Sequence, residues 1–201
     1  MLRKQRVIRK TAKTRRERSE INYLTDDERK ALFATIKDPR DRAIFVLGFW
    51  RGLRASEVGM LMLEHWRPAS GKLYVRRLKG SVSREYTLTY AEVQALKRWL
   101  KIRGEDRGPI FRGYKRKGIE RHAVNNLMRK YATLAHLPRE KRHWHCLKHS
   151  VATFLVDKDE AIAMVQDHLG HADIRSTMVY VRIAQRKRDE MAARLSAFDA
   201  L

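Results

Sequence analysis

Apolar residues recur at helical spacing along most of the chain, separated by polar and charged residues. The first predicted helix begins with a capping-box signature, because Thr25 is followed three residues later by Glu28. In the second helix, residues 43 to 49 are apolar on more than one side, which predicts a buried central helix. The same spacing predicts later helices that begin near Ser56, Tyr90, Glu120, His145 and Ala161.

The apolar period changes between residues 72 and 90. Leu73 and Val75, and then Tyr86 and Leu88, alternate with polar residues and predict two short strands. The segment Lys79 to Arg84 contains the glycine and serines typical of a hairpin loop. The predicted fold class is therefore mainly α with a small antiparallel β-sheet or hairpin.

The two ends of the chain differ from its middle. Residues 1–20 are rich in lysine and arginine with few apolar residues, which predicts a basic flexible arm, or alternatively a solvated tail without a specific role. Residues 21–186 are predicted to form the main domain. Residues 187–201 are predicted to form a C-terminal helix, whose apolar stripe of Met191, Leu195 and Phe198 needs a partner surface.

A formal net charge of +22 favours a polyanionic partner, and DNA is the commonest. A ribosomal or membrane-surface protein is the alternative. The single cysteine, Cys146, excludes an intrachain disulfide and suits a reducing cytosol. Because no apolar run is long enough for a membrane span and no secretory signal is evident, we expect a soluble intracellular protein.

Candidate chemistry concentrates between His143 and Tyr180. His145, Lys148 and His149 share one helical turn, and His171 and Tyr180 follow. Cationic donors around a tyrosine hydroxyl suit attack on a phosphodiester, whose transition state gains charge on its non-bridging oxygens. Zinc is the alternative, but the ligand set does not favour it, since the histidines and Cys146 lack a second ligand pair.

Other cations have both a binding and a purely structural interpretation. Arg54 lies at a helix junction, where it either reaches a cleft or forms a structural ion pair with Glu57. The polar face of the helix from Glu120 either reads DNA or is simply solvated. The candidate DNA contacts are Arg84, Arg121, Asn125, Arg129 and Arg175.

Three motifs occur in a fixed order: RASE from Arg54, HCLKHSVAT from His145, and LGH ending at His171, followed by Thr177 and Tyr180. Over about residues 22 to 188, this combination resembles the catalytic domain of tyrosine recombinases, the phage integrase family. The segment from Arg51 to Lys97 is most similar to the short fimbrial phase-switch invertases.

The resemblance implies a role for each residue. Tyr180 would be the nucleophile, and Arg54 and His171 would donate hydrogen bonds to the phosphate. Lys79 would be the acid for the leaving oxygen, and His145 would be the hydrogen-bonding or proton-accepting histidine. Glu57 and His149 would support them. Lys148 stands where the family usually has arginine, which keeps the charge but loses the two-pronged grip on phosphate.

The resemblance also implies partners and location. The reaction would need no metal or other cofactor. The partner would be double-stranded DNA with paired or inverted-repeat sites, bound by a homo-tetramer in the bacterial cytoplasm and associated with the nucleoid. The C-terminal helix would dock on a neighbouring subunit, or fold back on its own domain. A DNA-binding regulator of the same fold and a type IB-like topoisomerase are the alternative functions.

Overall fold

The computed structural model describes residues 21–78 and 80–198. The helices of this part are α1 (Asp26–Thr35), α2 (Pro39–Trp50), α3 (Ala55–Val58), α4 (Tyr90–Arg103), α5 (Arg121–Leu134), α6 (His145–Asp157), α7 (Ile162–Leu169) and α8 (Arg175–Phe198). The strands are β1 (Trp66–Arg67), β2 (Lys72–Val75) and β3 (Arg84–Thr87). The predicted fold class is confirmed. The predicted basic arm and Lys79 lie outside the described residues.

Side-chain caps begin the first two helices, and the cap of α1 is the one that the sequence predicts. The Thr25 side chain accepts a hydrogen bond from the Glu28 backbone nitrogen, and the Glu28 carboxylate accepts one from the Thr25 nitrogen, which completes the capping box. Before α2, the Asp38 side chain accepts from the Asp41 nitrogen at 2.9 Å. Pro39 suits the first helical position because its missing N–H would have no intrahelical acceptor there.

Helix α2 is the centre of the core, and its residues from Ala43 to Gly48 are buried. The Trp144 ring before α6 lies against Gly48, where an added Cβ would be 2.3 Å from ring atom Cζ2. The indole Nε1 of Trp144 donates to the Leu53 carbonyl at 2.8 Å. This contact fixes the start of α6 against the end of α2, and so sets where the histidine motif lies.

Helix α3 differs from its prediction. Ser56 is not the cap: Arg54 occupies the N-cap position, and the Glu57 carboxylate accepts from the Arg54 backbone nitrogen at 2.9 Å. The helix has four residues, because the chain beyond it pairs with a later loop instead of continuing the helix. The Ile110 nitrogen donates to the Leu61 carbonyl at 2.8 Å, and the Leu63 nitrogen to the Gly108 carbonyl at 2.9 Å.

The strands form an antiparallel sheet in the order β1-β2-β3, with Leu73 opposite Tyr86. The two-residue β1 was not predicted, because so short a strand has no readable alternation. Arg84 belongs to β3 and not to the loop. The hairpin loop contacts the turn between α7 and α8, since the Val82 nitrogen donates to the Gly170 carbonyl at 3.1 Å.

Helix α8 packs on the domain with its first half, where Tyr180, Ile183 and Ala184 are buried. The predicted boundary between residues 186 and 187 falls inside this helix, which runs on to residue 198. In the second half, Met191 and Leu195 are 53% and 57% exposed. The Phe198 side chain lies outside the described residues. Within the described ranges, no helix combines the length and apolarity that crossing a membrane requires.

Candidate active site

Arg54 is held in place but still reaches solvent. Its Nη1 donates to the Glu57 Oε1 at 3.0 Å and to the Ser81 Oγ in the hairpin loop at 2.6 Å. The predicted ion pair with Glu57 is therefore present. The Arg54 side chain remains 34% exposed, so the same group can be fixed by its neighbours and still meet a ligand.

Glu57 is the buried acceptor beneath Arg54, and its side chain has no exposed surface. It also accepts from the Arg77 Nη1 at 3.0 Å and from the Leu78 nitrogen at 3.3 Å. Burial alone would raise the pKa of Glu57, but Arg77 and the hydrogen bonds outweigh it and place the pKa below its usual value. Glu57 therefore stays ionised and keeps Arg54 in position.

Arg77 was missed in the sequence, although a signal for it exists. Leu73 and Val75 are buried on the inward face of β2, and Arg77, two residues beyond the end of the strand, continues the same alternation of buried and exposed residues. An arginine on such a face requires polar partners inside the protein.

Lys148 is buried, with 2% of its surface exposed. Its Nζ donates to the Gly52 carbonyl at 3.1 Å and to the Leu169 carbonyl at 2.9 Å. Burial, and next the charges of Arg77 and Arg54, lower the pKa of Lys148 to about 7. The ammonium thus joins the turns that precede Arg54 and His171, and its charge depends on pH in the neutral range.

Tyr180 has its hydroxyl inside the protein, since only 2% of the residue is exposed. The hydroxyl oxygen lies 2.8 Å from the Nδ1 of His149. Burial raises the pKa of Tyr180 to about 12. Burial, and then the nearby His145, lower the pKa of His149 to about 3. His149 is therefore neutral near pH 7, and its Nδ1 can accept the hydrogen bond that the hydroxyl donates.

His145 connects this pair to the surface. Its ring centroid lies 4.4 Å from that of His149. Although His145 reaches solvent, the protein packed around its ring lowers its pKa, and the charge of Lys148 adds to this effect. His145 and Arg54 line one cleft, and Arg121 and Asn125 of α5 line it as well.

His171 is joined to the Arg54 cluster through Ser81. Gly170 ends α7 with a left-handed φ of 64°, which turns the chain so that His171 pairs with Ser81 in an isolated β-bridge. The His171 Nδ1 lies 3.0 Å from the Thr177 Oγ1. Burial, and then Lys148, lower the pKa of His171 to about 4. Ser81 therefore contacts both residues that are predicted to donate hydrogen bonds to the phosphate, Arg54 and His171.

The predicted DNA-binding arginines outside the cleft contact other side chains of the protein. Arg84 forms an ion pair with Asp167, which competes with any contact to phosphate. Arg129 is exposed and donates to the Asn126 side chain at 2.8 Å. Arg175, at the start of α8, is exposed and pairs with Asp173.

Comparison with known proteins gives consistent similarities. The model of the phage integrase family matches residues 22–187. Tyrosine recombinase XerA of Pyrococcus furiosus is 31% identical over 183 residues, which cover 89% of this chain and 63% of that protein. Tyrosine recombinase XerC of Psychromonas ingrahamii is 32% identical over 169 residues, which cover 81% of this chain and 56% of that protein. The chain thus spans less than two thirds of these relatives.

Solved structures share the fold. A crystal structure of XerA recombinase aligns with a TM-score of 0.73 at 24% identity, covering 86% of this chain and 64% of the other. A post-cleavage complex of the XerH site-specific recombinase with a palindromic difH substrate aligns with a TM-score of 0.72 at 23% identity, covering 86% and 52%. The more specific resemblance to fimbrial invertases stays a prediction.

Proposed function

Because the chain belongs to the phage integrase family, we propose that it is a site-specific DNA recombinase acting through a covalent 3′-phosphotyrosine. The observation that supports this most is the contact between the Tyr180 hydroxyl and the neutral His149, whose ring lies beside His145 in the Arg54 cleft. The recombinase names of the relatives agree with this activity.

The proposed step exchanges one phosphodiester for another. The Tyr180 oxygen bonds to phosphorus while the bond to the 5′ oxygen breaks. His149 holds the hydroxyl before DNA binds. Once the hydroxyl has left His149 and reached the phosphate, its proton would pass to His145, and Lys79 would protonate the leaving oxygen. The 5′ hydroxyl of another strand then attacks the phosphotyrosine, which forms a new phosphodiester and releases Tyr180. Because the phosphotyrosine conserves the energy of the broken phosphodiester, no metal or other cofactor takes part.

Fixed cations and hydrogen-bond donors would stabilise the negative charge that develops on the phosphate in the transition state. Arg54 and His171 would bind the non-bridging oxygens, and Lys148 would supply further positive charge from beneath them. A preorganised donor of this kind is worth about 3–4 kcal/mol in the transition state. Because Tyr180 is buried, we propose that the first turns of α8 shift when DNA binds, which brings the hydroxyl to the phosphate.

We propose double-stranded DNA with paired or inverted-repeat sites as the substrate, within the cytoplasm and on the nucleoid. The +22 charge favours binding to phosphates, with the arm of residues 1–20 following the DNA backbone. Arg121 and Asn125 line the cleft beside Arg54, so they are the candidates for contacts nearest the cleaved bond. Arg129, Arg175 and, once released from Asp167, Arg84 would hold the flanking duplex.

The exposed Met191 and Leu195 support an assembly in which α8 docks on a neighbouring subunit, as part of a tetramer on two sites. Residues 1–20 would then form an arm, residues 21–186 the catalytic domain, and the end of α8 the contact between subunits.

A covalent-capture experiment tests the chemistry. The protein is incubated with nicked duplexes made from the DNA that flanks its gene, denatured, and examined for protein-linked strands. We expect a protease-sensitive adduct at the 3′ end of the cleaved strand. Tyr180→Phe should reduce the adduct by roughly 10⁴-fold or more, since it removes the nucleophile. Equal adduct from that variant, or a 5′ linkage, would exclude the proposed mechanism.

A further inference from the structure

The guanidinium of Arg77 is buried without exposed surface, although it is outside the set of predicted catalytic residues. It joins several parts of the chain through its two terminal nitrogens. Nη1 donates to the Glu57 Oε2 at 3.0 Å and to the Gly52 carbonyl at 3.3 Å. Nη2 donates to the Arg51 carbonyl at 2.6 Å, the Tyr86 hydroxyl at 3.1 Å and the His168 carbonyl at 3.5 Å.

The carbonyl partners of Arg77 lie at the ends of two helices. Arg51 and Gly52 follow the last residue of α2, and His168 is next to the last residue of α7. The last carbonyls of a helix lack intrahelical donors and carry the negative end of the helix dipole, so a cation between two such ends draws them together. Lys148 joins the same two turns through Gly52 and Leu169.

Each of these turns is followed in the chain by a residue that is proposed to bind the phosphate. The α2 turn precedes Arg54, and Glu57 connects Arg77 to Arg54 from below. The α7 turn passes through Gly170, where an added Cβ would lie 3.2 Å from the Arg77 Nε, before it reaches His171.

The hairpin root is the third part that Arg77 fixes. The Arg77 nitrogen donates to the Ser83 Oγ at 2.9 Å, which closes the base of the loop. The next residue, Leu78, donates its own nitrogen to Glu57 at 3.3 Å. The proposed general acid, Lys79, follows directly in the sequence.

We propose that Arg77 is a positioning residue for strand cleavage, which sets the spacing between the segments that bear Arg54, Leu78 and His171. This inference rests on the proposed recombinase function. A guanidinium suits the task because its planar fork serves several acceptors at fixed angles, whereas a lysine ammonium on a flexible stem cannot serve the same set. A buried ion pair such as Arg77–Glu57 is poor evidence for stability by itself, since apolar pairs often replace it without loss.

The test compares Arg77→Lys with Arg76→Lys. Arg76 is the exposed neighbour, so this control makes the same chemical change outside the buried cluster. Three quantities are measured for each variant: the rate of covalent adduct formation at saturating protein, the affinity for the duplex, and the thermal unfolding midpoint. We expect Arg77→Lys to lower the rate by about 10²-fold, as small misplacements of reacting groups do, with duplex affinity within about twofold of wild type. Arg76→Lys should match wild type in rate.

A second variant guards against loss of folding. The double substitution Glu57→Gln with Arg77→Met removes both buried charges together, so the fold should persist. The hydrogen bonds by which Arg77 joins the three segments should be lost. A methylphosphonate at the cleaved position gives a further readout. This uncharged linkage should partly restore cleavage by Arg54→Ala, which lacks a phosphate contact, but not by Arg77→Lys, which lacks only a positioning contact.

The outcomes separate the two proposals. If wild type forms the adduct and a folded Arg77 variant cleaves at the wild-type rate, the positioning role is overturned and the recombinase function stands. Methylphosphonate rescue of Arg77→Lys would also overturn it, because the side chain would then touch the phosphate. If wild type forms no adduct on any flanking duplex, both proposals fail.

Discussion

Arg54 and Tyr180 would act on the same phosphate, but they belong to differently built parts of the protein. Arg54 is fixed by Glu57, a fully buried carboxylate that Arg77 and two backbone nitrogens also bind. Tyr180 is on a helix whose second half is largely exposed, and its hydroxyl is held by the ring of His149.

This difference indicates how the site divides its work. Hydrogen-bond donors that are already in place stabilise developing charge without reorganising during the reaction. Arg54, which its buried partners hold in position, is a donor of this kind. Tyr180 is buried and its pKa is raised to about 12, so in the proposed mechanism the nucleophile is protonated and has to move before it can react. If the proposed roles are right, the part of the site around Arg54 provides fixed geometry and the part around Tyr180 controls access to the nucleophile.

After removal of the Tyr180 hydroxyl itself, the largest effect on the comparison between Arg54 and Tyr180 is expected from a change at Arg54. Arg54→Ala removes a phosphate donor, so we expect the cleavage rate to fall by roughly 10² to 10³-fold. Arg67→Ala is the matched control, because Arg67 also pairs with a glutamate, Glu85 at 2.9 Å, but is 69% exposed on the sheet. Single-turnover adduct formation measures both. A loss of less than about threefold in Arg54→Ala would place the phosphate elsewhere.

A smaller effect is expected from the proton on Lys148. Its pKa of about 7 means that the ammonium is charged below neutral pH and loses its charge as pH rises through that value. Cleavage should therefore fall toward alkaline pH, by about tenfold at one unit above the pKa if the charge is required. Lys148→Arg should remove this alkaline limb, since arginine stays charged. If the variant and wild type share one pH–rate profile between roughly pH 6 and 9, the limb belongs to another group.

The smallest effect on the chemical step is expected at the exposed end of α8. Leu195→Glu should leave adduct formation on a single site within about twofold, because this side chain is 57% exposed and far along the helix from Tyr180. Joining of two sites should fall, since a charge would disrupt an apolar docking surface. Ser196→Glu adds the same charge on the neighbouring, exposed position as the control. Normal joining by Leu195→Glu would exclude docking through this stripe.

The sequence predicted the fold well where local rules decide. The capping box at Thr25 and the alternation in β2 both depend on near neighbours in the chain. Prediction failed where a distant group intervenes. The short α3 ends because its continuation pairs with residues 108–110, which no local pattern reveals.

The same distinction holds for the candidate site. The residue types and their order were readable, but the contact between His149 and Tyr180 joins positions 31 residues apart. The pairing of Arg84 with Asp167 spans 83 residues. Lys148 was expected to act as a phosphate contact, yet its described partners are two backbone carbonyls that become neighbours only in the folded chain.

Helix α8 is continuous from Tyr180 to Leu195, so it connects the buried hydroxyl to the exposed end of the helix. These 15 positions correspond to about 22 Å along the helix axis, so a tilt of about 5° at one end displaces the other by about 2 Å. A displacement of that size exceeds what a hydrogen bond of 2.8 Å between Tyr180 and His149 can follow. A neighbouring subunit docked on the exposed end of α8 could therefore change the distance between the Tyr180 hydroxyl and His149, because one continuous helix joins the two positions.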